Sequence, residues 1–179
     1  ANLVFLVDVS GSMMSPDKLP LLKSGLKLLV QNLRVQDRVS LVVYAGNTGV
    51  VLEPTPGDQK GRILAALEGL SAGGSTNGGA GIKLAYAMAE QGYIKNGINR
   101  VLLATDGDFN VGTVSFEALK NMVEDKRKTG VSLTTLGFGT AVYQTFANVE
   151  ALSGGRAGLA IPPLQPPGGV SREVWVYRV

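Results

Sequence analysis

Continuous apolar runs that end in polar, glycine-containing turns are the clearest pattern along the chain. Residues 3–7, LVFLV, are apolar without a break, and residues 38–45, 100–105 and 131–138 are similar. Short runs of this kind predict strands that are buried on both faces of a sheet. Residues 50–52 follow a turn with two glycines and are closed by Pro54 and Pro56, which predicts an antiparallel edge strand.

Between the runs, apolar residues recur at three- and four-residue steps, which predicts amphipathic helices. One helix is expected to end near Arg34 and to carry Leu19, Leu22, Leu26, Leu29 and Leu33 on one face, after a loop over residues 13–20. Others are expected from an Asp58 cap to about residue 70, over 80–91, and from a Ser115 cap to about 128. Strands alternating with helices predict an α/β fold: a doubly wound, mostly parallel sheet with one antiparallel edge strand and helices on both faces.

The end of the chain departs from this pattern. A short helix over residues 146–152 and a weak strand over 158–161 are expected to complete a first domain, residues 1–161. Residues 162–169, PPLQPPGG, then differ in composition from the preceding chain, because they are rich in proline and glycine. Residues 162–179 are therefore interpreted as a Pro/Gly-rich tail, either an irregular arm or an added strand around residues 174–177.

Composition excludes several classes of function. The chain has 179 residues, 45% hydrophobic and 17% charged, which is typical of one globular domain. The net charge of +3 is small and the basic residues are dispersed among acidic ones, which argues against nucleic acid as a partner. The absence of Cys and His excludes disulfides, thiolate zinc sites and Ser-His-Asp triads. No run approaches the roughly 20 apolar residues of a membrane span.

Oxygen-bearing side chains follow three of the predicted elements. Asp8, Ser10 and Ser12 come directly after the first strand, Thr76 lies in the Gly/Ser-rich loop 71–79, and Asp106 follows the strand over 100–105. Because ligands bind at the carboxyl ends of parallel strands, these residues are expected to meet at one edge of the sheet. Carboxylates and hydroxyls form a hard, oxygen-only site that suits Mg²⁺. Taken singly, each residue has an alternative role as a helix cap or turn former.

The three segments together resemble the metal-ion-dependent adhesion site of von Willebrand factor A domains of bacterial type. The family's D-x-S-x-S motif is matched by residues 8–12, DVSGS, its threonine loop by residues 74–77, and its later aspartate by Asp106. The resemblance implies a Rossmann-like fold in which Ser10, Ser12 and Thr76 bind the metal directly. It implies that Asp8 and Asp106 act directly or through water.

The resemblance also implies a function as a metal-dependent protein-binding, adhesion-type module without enzymatic activity. The metal would be Mg²⁺, with Mn²⁺ or Ca²⁺ as other candidates, and an open position would receive an Asp or Glu carboxylate of a protein partner. Candidate rim residues are Met13, Met14, Asn47, Asn77, Phe109 and Asn110. For Met13 and Met14 the alternative, that they fold under the loop, stays open. The same analogy implies an extracytoplasmic or envelope-associated location.

Two alternatives stay open at this point. Asp8 after a buried first strand, with Asp106 later, is compatible with a Mg²⁺-dependent phosphatase in which Asp8 is the nucleophile. Ser10 stands where phosphatases of that type place a second aspartate. A structural scaffold domain with a vestigial metal site is the other alternative.

Overall fold

A central mixed sheet carries all the strands of the computed structural model, which describes residues 1–45, 48–73, 78–107, 116–137 and 175–178. The strands are β1 (Asn2–Asp8), β2 (Arg38–Tyr44), β3 (Gly49–Pro56), β4 (Asn99–Thr105), β5 (Val131–Gly137) and β6 (Trp175–Arg178). Within the described residues their order across the sheet is β3-β2-β1-β4-β5-β6. β1 pairs in parallel with β2 and β4, and β4 pairs in parallel with β5.

The helices are α1 (Leu19–Gln31), α2 (Lys60–Glu68), α3 (Gly78–Gln91) and α4 (Phe116–Lys128). Alternate residues of β1 pack against different helices, as expected for a strand with helices on both sides. Phe5 and Val7 belong to a core with residues of α1 and α2, whereas Val4 and Leu6 belong to a core with residues of α3 and α4. The predicted doubly wound, mostly parallel α/β fold is therefore confirmed.

Both edges of the sheet are antiparallel. β3 pairs with β2 as predicted, and β6 adds a second antiparallel strand against β5, with Trp175 opposite Gly137. The strand β3 is longer than the predicted 50–52 and includes Pro54 and Pro56. Proline is tolerated there because an edge strand has one side without ladder partners, and the pairing of β3 with β2 is interrupted by register shifts.

Other element boundaries also differ from the expectation. The predicted loop over 13–20 instead contains a 3₁₀ turn (Gly11–Met14) and the start of α1, with Pro20 in the first turn, where no amide hydrogen is needed. Asp58 is not the cap of α2; Gln59 takes that place, because its amide bonds back to the Pro56 carbonyl at 3.0 Å and a tight turn carries the chain past Asp58. The expected elements at 146–152 and 158–161 lie outside the described residues.

Helix α3 approaches the sheet closely at Gly81. A β-carbon at this position would lie 2.9 Å from the Tyr44 β-carbon and 3.1 Å from Leu6 Cδ1. Both distances are shorter than side-chain packing normally allows, so a glycine is required for this approach. The close approach buries the ends of β1 and β2, where the candidate site begins. No helix within the described ranges is both long and apolar enough to cross a membrane.

Candidate metal centre

The candidate site begins where three neighbouring strands end. Asp8 is the last residue of β1 and is paired in register with Tyr44, the last residue of β2. On the other side of β1, Thr105 ends β4, and Asp106 follows it directly. Because β1, β2 and β4 are parallel, their polar terminal residues share the carboxyl edge of the sheet.

The carboxylate of Asp8 is fully buried and fixed in orientation. Oδ1 accepts a hydrogen bond from the Ser10 amide at 2.8 Å, and Oδ2 accepts bonds from the hydroxyls of Tyr44 and Thr105, each at 3.3 Å. Burial raises the pKa of the Asp8 carboxyl; the hydrogen bonds from Ser10 oppose this shift, and the nearby charge of Asp106 adds to it. A buried carboxylate of this kind favours any arrangement that brings positive charge close to it.

The turn after β1 brings two hydroxyls together. Ser10 has extended backbone angles and accepts a bond from the Met13 amide at 3.0 Å, which closes the 3₁₀ turn. Met13 is fully buried in the α1/α2 core, so the turn is anchored beneath its polar face. The Ser10 and Ser12 Oγ atoms lie 2.9 Å apart.

Asp106 is joined to the first segment by a lysine. Its side chain is 5% exposed, and its Oδ2 atom accepts a charge-assisted bond from Lys18 Nζ at 2.7 Å. The same ammonium donates to the Ser12 carbonyl oxygen at 2.8 Å. A cation of the chain itself therefore lies between two of the three predicted segments.

The structure brings four of the five predicted metal ligands to one edge: Asp8, Ser10, Ser12 and Asp106. Thr76 lies outside the described residues, as do the rim candidates Asn47, Asn77, Phe109 and Asn110. Of the two roles open to Met13, lining the rim or folding under the loop, the structure shows the second, because its side chain is a core residue that holds the turn in place. Met14 is 66% exposed and stays a rim candidate.

These groups fit a hard divalent cation. Two carboxylates can balance a double positive charge, and neighbouring hydroxyls add neutral oxygen ligands. Within the described residues no cluster of three or more His, Cys, Asp or Glu side chains occurs. The described candidates are two carboxylates and two serine hydroxyls, a donor set that suits Mg²⁺ or Mn²⁺ and is poorly suited to zinc.

Three residues of the site are missed by sequence reasoning: Lys18, Tyr44 and Thr105. Tyr44 and Thr105 are the terminal residues of the strands on either side of β1, so pairing these strands in register would have identified them. Lys18 occupies the cap position at the amino end of α1 without a side-chain capping bond, and the helix dipole disfavours a cation there. That unfavourable placement is the available sequence signal that its charge is needed elsewhere.

Comparisons with known proteins agree with this architecture. YfbK of Escherichia coli is 53% identical over 143 residues, which cover 80% of this chain and 25% of YfbK. This chain thus spans about a quarter of that relative's length. Manganese-loaded TRAP protein of Plasmodium vivax superposes with a TM-score of 0.66 at 20% identity, covering 94% of this chain and 65% of TRAP.

An aerotolerance-related membrane protein from Bacteroides fragilis superposes with a TM-score of 0.58 at 20% identity, covering 99% of this chain and 81% of the other. At these identities the two superpositions establish the fold. The model of the von Willebrand factor type A domain matches residues 3–109, a range that includes every predicted metal ligand. The chain therefore belongs to the von Willebrand factor type A domain family.

Proposed function

We propose that this domain binds one divalent cation and, through it, an acidic side chain of a protein partner. The predicted ligands are Asp8, Ser10, Ser12, Thr76 and Asp106, and Mg²⁺ is the expected metal, with Mn²⁺ or Ca²⁺ as other candidates. Domains of this family typically mediate protein interactions and metal-dependent adhesion. The inclusion of Thr76 rests on the family resemblance.

One observation carries the proposal: the buried Asp8 carboxylate, the adjoining Ser10 and Ser12 hydroxyls, and Asp106 converge at one edge. The Ser10 amide and the hydroxyls of Tyr44 and Thr105 fix the Asp8 carboxylate, so its position is set before any ligand arrives. When bound, a divalent cation supplies the attraction for a carboxylate from outside the domain. The rim, including exposed Met14, would then select among partners.

The burial of Asp8 argues against the phosphatase alternative. A nucleophilic carboxylate must reach a phosphorus atom, yet Asp8 has no exposed surface and both of its oxygens accept hydrogen bonds. Its role in this geometry is to supply charge and to orient neighbouring groups. We therefore propose a binding module rather than an enzyme.

Calorimetric titration of Mg²⁺ and Mn²⁺ into chelator-treated protein tests the metal site. We expect one ion to bind wild type, with binding lost in Asp8→Ala and Ser12→Ala. Ser24→Ala is the matched control, because the Ser24 hydroxyl is exposed on α1 and donates within its own helix, to the Pro20 carbonyl at 3.0 Å. A folded wild-type domain that binds no ion would contradict the proposal and favour a vestigial site in a scaffold domain.

The partner is tested with peptides that differ in a single carboxylate. Peptides carrying a central Asp or Glu should bind the loaded domain more tightly than the same peptides with Asn or Gln. The difference should vanish in chelator, because the carboxylate is attracted through the metal. Equal binding of both peptide sets would show that the partner is recognised by other chemistry.

We extend the proposal to location: the protein acts outside the cytoplasm or at the cell envelope. The support is by analogy, since one structural neighbour is a membrane protein of Bacteroides fragilis. Fractionation of cells that express the full-length protein tests this. Recovery of the protein wholly in the cytosolic fraction would refute it.

A further inference from the structure

Lys18 and Asp106 form a short and partly buried ion pair. Lys18 Nζ lies 2.7 Å from Asp106 Oδ2 and 2.8 Å from the Ser12 carbonyl, with the two side chains 23% and 5% exposed. It joins the turn after β1 to the residue that follows β4. An ion pair that is this sheltered from water is screened much less than one on the open surface.

The location of Lys18 at the start of α1 does not explain why the chain has a lysine there. Lys18 occupies the cap position of α1 and its side chain makes no capping bond there. A positive charge at the amino end of a helix is unfavourable, because the helix dipole is itself positive at that end. The bond to Asp106 offsets this cost, which links the lysine to the site rather than to the helix.

The balance of charge between the two aspartates and their possible cations indicates a role for Lys18. Asp8 and Asp106 together carry two negative charges, of which the Lys18 ammonium balances one. A divalent cation held by both carboxylates balances both, and the lysine would then add an excess positive charge beside the metal. In a partly buried site, like charges at such short range repel strongly.

We propose that Lys18 is a tethered cation that competes with the divalent metal for Asp106. In the metal-free domain its ammonium holds Asp106 against the turn and relieves the repulsion between the two carboxylates. Metal binding displaces it from Asp106 Oδ2 towards solvent. Lys18 therefore sets the metal affinity and stabilises the empty site, an inference that rests on the proposed function.

Lys18→Met tests this, since it removes the charge and keeps an unbranched side chain. We expect Mg²⁺ to bind about tenfold more tightly than to wild type, because no internal cation has to be displaced. The chelator-treated variant should also unfold at a lower temperature than wild type. Added Mg²⁺ should then raise its unfolding temperature by more than it raises that of wild type.

Lys23→Met is the matched control. Lys23 lies in the same helix, is 18% exposed and bonds to the Glu68 and Leu70 carbonyls at 2.8 and 3.2 Å, away from the site. Its loss should leave the Mg²⁺ affinity unchanged. If Lys18→Met fails to fold, Lys18→Gln, which keeps a polar end, provides the same affinity measurement.

A measurement on the wild-type protein needs no variant. The nitrogen-15 resonance of the Lys18 ammonium should be observable in chelator, because a sheltered ammonium exchanges slowly with water. On addition of Mg²⁺ it should move to the position of solvated lysines, whereas the Lys23 signal should stay in place. A Lys18 signal that is unchanged at saturating Mg²⁺ would refute displacement.

The outcomes separate the inference from the proposed function. Tighter binding in Lys18→Met with an unchanged control supports both. Metal binding that is equal to, or weaker than, that of wild type overturns the competing role of Lys18 and leaves the metal site standing. No binding in any folded variant overturns the metal site, and the role of Lys18 with it.

Discussion

Two buried aspartates at opposite ends of the sheet differ in how their charge is balanced. Asp37, 5% exposed, lies just before β2 and accepts bonds from the Arg34 amide at 2.9 Å and from the Arg34 guanidinium at 3.1 and 3.2 Å. The Arg34 side chain holds the pKa of Asp37 well below its usual range. Among the described residues, Asp8 receives amide and hydroxyl bonds only, and burial raises its pKa.

This difference indicates that the Asp37 carboxylate has a structural role, whereas the Asp8 carboxylate is suited to binding a ligand. Arg34 supplies Asp37 with a positive charge from the chain itself, so ionised Asp37 stabilises the fold. Asp8 is also held by hydrogen bonds, but its donors within the described part of the chain are neutral, and its neighbour Asp106 is also negative. A buried charge without an internal cation destabilises the fold unless something else balances it. The contrast between Asp8 and Asp37 is therefore expected to appear in mutant behaviour.

The largest expected effect is on metal affinity. Asp8→Asn should weaken Mg²⁺ binding by about 100-fold, because it removes one of two charges that balance the cation. Asp37→Asn, a substitution of the same chemistry at the other end of the sheet, should leave Mg²⁺ affinity unchanged. Calorimetry on both variants measures this, and equal losses would erase the distinction between the two residues.

For the stability of the metal-free protein, Asp37→Asn should have the larger effect and Asp8→Asn the smaller one. Asp37→Asn should lower the free energy of unfolding by about 2 kcal/mol, because the charge-assisted bonds to Arg34 are lost. Asp8→Asn should change it by less than about 1 kcal/mol, because burial already disfavours the charged form of Asp8. Urea unfolding of the metal-free variants gives both values. A strongly destabilised Asp8→Asn would mean that Asp8 is chiefly structural.

A smaller effect is expected on the decline of the unfolding free energy at acid pH. Because the folded pKa of Asp37 lies below its ordinary value of 3.8, its contribution is complete above that value and is lost as the pH falls through the folded pKa. The unfolding free energy of metal-free wild type should therefore decline below about pH 4. Asp37→Asn should show a shallower decline over the same range. Parallel curves would place the acid sensitivity elsewhere.

The smallest expected effect concerns the hydroxyl that orients Asp8. Tyr44→Phe should weaken Mg²⁺ binding about threefold, or about 0.6 kcal/mol, since a single long bond to Asp8 Oδ2 is lost. Tyr86→Phe is the control, because the Tyr86 hydroxyl is buried with no hydrogen-bond partner among the described residues. If the two variants behave alike, the Tyr44 bond does not help to orient the carboxylate.

Much of the fold could be predicted from local pattern. Three strands are predicted correctly, β1, β2 and β4, because each is a continuous apolar run that lies between two neighbouring strands. Helix α1 is predicted correctly because its leucines recur on one face. β3 is predicted too short because Pro54 and Pro56 are ordinarily strand breakers, a rule that an edge strand relaxes. The partner of β6 could not be predicted, since a short strand after a Pro/Gly-rich segment carries no information about what it pairs with.

The candidate site is predictable only in part, for a physical reason. Asp8, Ser10 and Ser12 are close in sequence, and Asp106 follows a recognisable strand, so their convergence follows from topology. Lys18 is different, because its partner lies 88 positions away and the bond depends on where its long side chain reaches. Met13 shows a different limit, since sequence alone leaves it either on the rim or under the loop, and the geometry of the turn decides that it enters the core.

The pairing of β6 with β5 has a consequence for how this domain can vary. The chain leaves the sheet at Gly137 and rejoins it at Trp175, directly opposite in the ladder and at the same edge as Asp8 and Asp106. Gly137 and Trp175 therefore fix two points of the chain at the edge of the sheet that carries the site. Because loop-closure entropy grows slowly with length, lengthening the connection between two such points costs only about 0.6 kcal/mol per doubling. Descendants of this chain could thus gain new surface next to an unchanged centre by insertions between these two points, and an engineer could graft a binding loop there.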